Sequence, residues 1–71
     1  MSFKPGDLVE FRHREDPDCE DNGILGLVLS KPYPAPGRPH LTPEIIVDIQ
    51  WVDGADSPWE YVQQLVMVCP V

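Results

Sequence analysis

His13, Cys19, His40 and Cys69 are the side chains with which this chain could ligate zinc or carry out nucleophilic catalysis. Tight zinc sites usually present their ligands in closely spaced pairs, and these four residues form no such pair. No serine lies in a G-x-S-x-G motif, and no set of residues supplies a nucleophile, a base and an oxyanion site together. We therefore expect a protein that is not an enzyme and that holds neither a metal nor a cofactor.

Five acidic residues between positions 15 and 21 could instead bind calcium. They are Glu15, Asp16, Asp18, Glu20 and Asp21. Calcium takes about six to eight oxygen ligands, and this segment partly matches the first half of an EF-hand loop. The match fails at Leu29, which stands where that loop needs a bidentate glutamate. The pattern favours a solvated acidic loop that turns into the next strand at Asn22 and Gly23.

Aromatic residues in the second half of the chain could form a binding surface. In small binding domains such residues line grooves for proline-rich peptides or cages for methylated lysine. Trp51 alternates with the aliphatic residues of its segment, which assigns it to the core. Trp59 follows Pro58 at a loop edge, and Tyr61 shares its face. The predicted partner surface consists of Trp59, Tyr61 and Tyr33, flanked by Asp16, Asp18 and Glu20.

The charge balance restricts what such a surface could bind. The chain has 5 Lys and Arg residues against 12 Asp and Glu residues, a formal net charge of −7. Nucleic-acid binding depends on basic residues that neutralise phosphates, and the few basic residues here form no run. The same excess of negative charge disfavours binding to anionic membranes. We therefore expect a protein partner, and a basic ligand would suit the acidic surround.

Proline, with nine occurrences, divides the chain into short segments with no sustained helical periodicity. The remaining apolar segments predict five strands and one helical or 3-10 turn. The strands fall at residues 7–12, 23–30, 44–52, 59–62 and 66–69, with the turn at 63–65. Five short twisted strands must curl to bury a face. We predict an all-β protein, a five-stranded SH3-like barrel with a 3-10 turn before the last strand, forming one domain over residues 1–71.

The second predicted strand is apolar on both faces. Gly26 in its middle predicts a bulge or bend that lets one strand serve two sheets. If Gly26 faces inward, then Leu25, Leu27 and Leu29 point outward. An exposed row of leucines is an aggregation hazard unless a loop or a second subunit covers it. We expect a homodimer or larger assembly through Leu25, Leu27 and Leu29.

The proline-rich segment 31–39 has two interpretations. A stiffened loop costs less entropy to order, and this is the reading we favour. The alternative is a polyproline II ligand, because Pro36 and Pro39 enclose a P-x-x-P motif that contains Arg38. The first residues are not a signal peptide and the apolar stretches are shorter than a membrane span, which predicts a cytoplasmic protein with reduced Cys19 and Cys69.

Several of these segments together resemble one family. Residues 5–11 and 23–28 resemble the opening of small SH3-like barrels, including the KOW type, and residues 45–51, 59–62 and 65–68 extend the likeness. The chain is similar to short SH3-like proteins of marine bacteriophages, especially those of cyanobacteria. The resemblance covers nearly all of the chain except 14–22 and 31–43. It implies a barrel fold and action inside a bacterial host, and it carries no catalytic residue because the family has no established activity.

The sequence therefore predicts a non-enzymatic accessory barrel that binds a protein. Two alternatives stay open at this point. One is a structural subunit that assembles through the second strand. The other is a KOW-like nucleic-acid-binding module, which the acidic charge disfavours.

Overall fold

Six short strands and a single 3-10 turn make up the regular structure of the residues that the structure describes. A computed structural model describes residues 3–36 and 44–71. Its elements are β1 (Leu8–Phe11), β2 (Leu25–Val28), β3 (Tyr33–Pro34), β4 (Ile45–Trp51), β5 (Trp59–Tyr61), the 3-10 turn Val62–Gln64 and β6 (Leu65–Cys69). The predicted all-β class is confirmed, including the 3-10 turn that precedes the last strand.

The two-residue strand β3 is an addition to the five predicted strands. It lies inside the proline-rich segment and pairs with the beginning of β4, where Tyr33 faces Ile46 and Pro34 faces Ile45. Such a short edge strand can tolerate proline because half of its backbone groups need no ladder partner. The predicted P-x-x-P ligand around Arg38 and the candidate zinc ligand His40 lie outside the described residues.

All strand pairs are antiparallel, in the order β3-β4-β2-β1-β6, and β5 also pairs with β4. Residues 45–48 of β4 pair with β3 and β5, whereas residues 49–51 pair with β2. The strand that connects the two parts of the sheet is therefore β4, and not β2 as expected from Gly26. The strands curl into a partial barrel around one core.

The core forms on the inner face of that curl. It contains the buried side chains of Val9, Val28, Val47, Ile49, Trp51 and Leu65. The predicted alternation along β4 holds for Val47, Ile49 and Trp51, while Ile45 is only half-buried. Burying each aliphatic side chain of this size contributes about 1.5–3 kcal/mol. The neighbouring Ile46 is also buried, on the opposite face of β4.

Gly26 is required by packing and not by a bulge. It pairs in regular register with Val9 on one side and Trp51 on the other, and the register shift lies between Leu8 and Val9 instead. A Cβ at position 26 would stand 2.6 Å from Cδ1 of Ile49 and 2.9 Å from Cε3 of Trp51. The absent side chain thus leaves room for two core residues of β4.

We expect Gly26→Ala to lower the free energy of unfolding by about 1–3 kcal/mol, because the methyl group overpacks the core. Gln50→Ala, an exposed change on β4, is the matched control and should shift it by less than about 0.5 kcal/mol. Denaturant unfolding monitored by tryptophan fluorescence measures both. Equal stability of Gly26→Ala and the wild type would contradict the packing role of this glycine.

Asp7 joins two segments that are 64 residues apart. Its side chain is fully buried, with Oδ2 accepting a hydrogen bond from the Lys4 amide and Oδ1 accepting one from the Val71 amide, each at 2.8 Å. The Val71 amide is the main cause that lowers the pKa of Asp7 below its ordinary value of 3.8. Burial acts in the opposite direction, and the Lys4 amide and charge add to the lowering.

The Asp7 carboxylate makes the stability of the folded protein depend on pH. Because the folded protein binds the Asp7 proton less readily than the unfolded chain does, the stabilisation is complete above pH 3.8 and is lost as the pH falls through the lower folded pKa. Asp7→Asn can accept only through one side-chain oxygen, so we expect a lower melting temperature at pH 7 and a weaker loss of stability on acidification. Asp56→Asn, on an exposed loop, is the control. Identical acid unfolding curves for Asp7→Asn and Asp56→Asn would exclude this role.

Candidate functional site

Three of the predicted partner residues meet on the outer face of the β3-β4-β5 part of the sheet. Tyr33 and Tyr61 both face Ile46 across the sheet, one from β3 and the other from β5. Trp59 is two residues from Tyr61 along β5, so it projects from the same face. Together with Ala35 and Pro36 these residues line a groove of about 260 Å³, the aromatic groove. The structure thus brings Tyr33, Trp59 and Tyr61 together.

The rings of the aromatic groove are held in defined positions. The Trp59 and Tyr61 rings pack edge to face, with centroids 5.2 Å apart and an interplanar angle of 83°. This is a favoured arrangement for aromatic pairs. Trp59 remains 39% exposed, whereas Ile46 beneath the rings is 2% exposed. The groove therefore has a dry aliphatic floor and an accessible aromatic wall.

A hydrogen bond fixes the third ring. The Tyr33 hydroxyl donates to Oδ1 of Asp48 at 2.5 Å, and the Asp48 amide donates to the Ser30 hydroxyl at 3.0 Å. The bond to the Asp48 carboxylate raises the pKa of the Tyr33 hydroxyl above its ordinary value of 10.0, and burial adds to the rise. The hydrogen bond thus favours the protonated phenol, which is the form that donates to Asp48.

Sequence reasoning missed Ile46 and Asp48 as parts of this site. Both belong to the same alternating set of β4, the set opposite to Val47, Ile49 and Trp51. Because side chains alternate between the two faces of a strand, assigning the residues of β4 to both faces would have identified Ile46 and Asp48. The pairing of Tyr33 and Tyr61 with Ile46 could not be found in this way, because it depends on the register of β3 and β5.

The predicted acidic flank is not part of the aromatic groove. Asp16, Asp18 and Glu20 are exposed on the loop between β1 and β2, and the described residues that line the groove do not include them. Their use as partner contacts stays a prediction.

That acidic loop is ordered by Asn22. Its Nδ2 donates to the carbonyl oxygens of Asp16 and Pro17 at 3.1 Å each, and its Oδ1 accepts from the His13 amide at 2.7 Å. The Asp18 amide also donates to Oδ1 of Asp16 at 3.0 Å. In the part of the chain that the structure describes, no group of His, Cys, Asp or Glu side chains is arranged to hold a metal ion.

The leucines of the second strand have different exposures. Leu27 is 39% exposed and Leu29, just beyond the end of β2, is 50% exposed. Leu25 is half-buried, while Gly26 and Val28 face the core. The described chain thus has apolar side chains on the outside of β2, as predicted for a surface that pairs with another subunit. The assembly itself stays a prediction.

Two of the basic side chains are engaged with acidic or amide groups. Nε of Arg12 lies 2.8 Å from Oε1 of Glu10. Nη1 of Arg14 donates to Oε1 of Gln63 and lies 3.8 Å from Oε2 of Glu44. Both arginine side chains remain exposed, and surface contacts of this kind are weak.

Both cysteines are free thiols, with Cys19 half-buried and Cys69 exposed. The described residues contain no helix with the length and hydrophobicity needed to cross a bilayer. Comparison of the chain with protein-family models, with curated proteins and with solved structures gave no match.

Proposed function

We propose that this protein is a non-enzymatic, protein-binding barrel whose aromatic groove binds an extended, proline-containing segment of a partner. The observation that carries the proposal is the groove itself, where Trp59, Tyr61 and Tyr33 surround the buried Ile46. Flat aromatic rings contact pyrrolidine rings well, and a polyproline II segment loses little entropy on binding.

The volume of the aromatic groove and the net charge of the protein support this class of ligand. A groove of about 260 Å³ is smaller than the range of about 300–1,000 Å³ that is typical of small-molecule pockets. It therefore suits one or two side chains of an extended segment. The net charge of −7 favours segments that also carry lysine or arginine, because it attracts them during encounter.

The proposed setting is an accessory role inside a bacterial host. It is supported by the resemblance of residues 5–11, 23–28, 45–51, 59–62 and 65–68 to small SH3-like proteins of marine bacteriophages. A phage protein of this kind would act in the host cytoplasm, where its two cysteines would stay reduced.

Peptide selection tests the groove directly. A displayed library of random peptides is selected on the wild-type protein, and the dissociation constants of the enriched peptides are measured by calorimetry. We expect proline-containing peptides whose binding weakens by roughly 30-fold or more in Trp59→Ala, the size of effect typical of a central aromatic contact. Val52→Ala, which alters an apolar residue that is 69% exposed and outside the groove, should bind as the wild type does.

Thermal unfolding first establishes that Trp59→Ala is folded. Equal binding by folded Trp59→Ala and wild type would refute the proposed groove. Failure to enrich any proline-containing peptide would refute the proposed class of ligand.

A structural subunit is the second candidate, and the exposure of Leu27 and Leu29 supports it. In this case the outer face of β2 would be buried between copies, and no peptide would be needed. Contacts between apolar surfaces of this kind are typical of homodimer interfaces.

Sedimentation equilibrium distinguishes this candidate. We expect the wild type to form a dimer or larger assembly, and Leu27→Lys to shift the equilibrium to the monomer because it places a charge in the interface. Gln63→Lys, at an exposed residue of the 3-10 turn that does not pair with β2, adds the same charge away from this face and is the control. A wild-type monomer at high protein concentration would contradict assembly through β2.

A further inference from the structure

A second groove lies on the face of β5 opposite to the aromatic groove. Glu60 lies between Trp59 and Tyr61 in sequence and faces Val47 in the register, so its side chain projects away from the aromatic groove. The groove has a volume of about 240 Å³. We call it the acidic groove.

Aromatic core residues form the floor of the acidic groove. The rings of Phe11 and Trp51 pack edge to face, with centroids 6.1 Å apart and an interplanar angle of 78°. Ile24 packs beside them. Trp51 is 6% exposed, and the half-buried Phe11 and Ile24 pack against the core, so this floor is apolar and continuous with the core.

Three carboxylates from different parts of the chain line the same groove. Asp21 comes from the loop between β1 and β2, Asp53 from the loop between β4 and β5, and Glu60 from β5. The described lining residues include these three acids and no lysine or arginine. An aromatic floor with a negative rim is complementary to an organic cation, whose charge is attracted by both.

Two of these carboxylates are held in place by the fold. Oε2 of Glu60 accepts hydrogen bonds from the Tyr61 amide at 3.0 Å and from Nε2 of Gln64 at 2.8 Å. Oδ1 of Asp53 accepts from the Ala55 amide at 3.0 Å. Each of these contacts uses one oxygen of its carboxylate, and less entropy is lost when a ligand meets a fixed acceptor.

We propose that the acidic groove binds the lysine or arginine side chain of a partner protein. The cationic head would lie among the three carboxylates, and its aliphatic stem would lie on the Phe11, Ile24 and Trp51 floor. The volume suits one side chain, since it is below the range of about 300–1,000 Å³ typical of small-molecule pockets. This site is separate from the aromatic groove, and it does not require a proline-containing ligand.

Three blocked tripeptides, acetyl-Gly-X-Gly-amide with X as lysine, arginine or norleucine, serve as probes. Each is titrated at low salt into isotope-labelled protein, and nuclear magnetic resonance follows the Trp51 indole N–H and the amides of Phe11 and Ile24. We expect saturable shifts with the lysine and arginine peptides and none with norleucine, which has the aliphatic stem without the charge.

Two double variants of equal net charge separate a site from the general field of an acidic protein. Asp21→Asn with Asp53→Asn changes the groove, and Glu10→Gln with Glu15→Gln changes the same number of acids outside it. We expect the groove variant to weaken binding about threefold to tenfold, as two partly exposed ion pairs would. The control variant should stay near the wild-type affinity.

Three results would overturn the proposal. They are the absence of saturable shifts at the Trp51 indole, equal shifts with the norleucine peptide, and equal weakening by the two double variants. Because proline-containing peptides are not used, failure here leaves the aromatic groove proposal unaffected, and a failed peptide selection leaves this one unaffected.

Discussion

The burial of side chains on both faces of β4 is the constraint on which the rest of the structure depends. Val47, Ile49 and Trp51 pack into the barrel core, and Ile46 is buried under the rings on the opposite side. No other described strand has buried residues on both of its faces, and β4 alone pairs with β2, β3 and β5. A chain of this size has little surface to bury. Packing side chains against both faces of β4 increases the apolar surface that this small chain buries.

Close packing around β4 explains both the glycine in β2 and the position of Tyr33 in β3. Gly26 gives Ile49 and Trp51 the space they need, so β2 can pair tightly with β4. On the other side, β3 is only two residues long, yet it places Tyr33 beside Ile46 and lets its hydroxyl reach Asp48. The same packing that stabilises the strand thus sets the positions of the exposed rings.

The sequence predicted what depends on local pattern. Alternating apolar residues identified β4 and placed Trp51 in the core, and Trp59 and Tyr61 were assigned to one face. The interpretation of Gly26 was wrong, because a glycine that makes room for distant side chains looks the same in sequence as one that makes a bulge. The buried Asp7 carboxylate was missed for a related reason. Its partner amide belongs to Val71, and only the folded chain brings them together.

The alternation of side chains along β5 has a thermodynamic consequence. Trp59 and Tyr61 line the aromatic groove, while Glu60, the residue between them, lines the acidic groove. Both grooves therefore share one three-residue strand, and a ligand that shifted β5 from one face would change the surface that the other face presents. Linkage would make such an effect reciprocal, with each proposed ligand altering the affinity for the other by the same factor. The three residues of β5 are thus the shared element through which the two proposed binding events would be coupled.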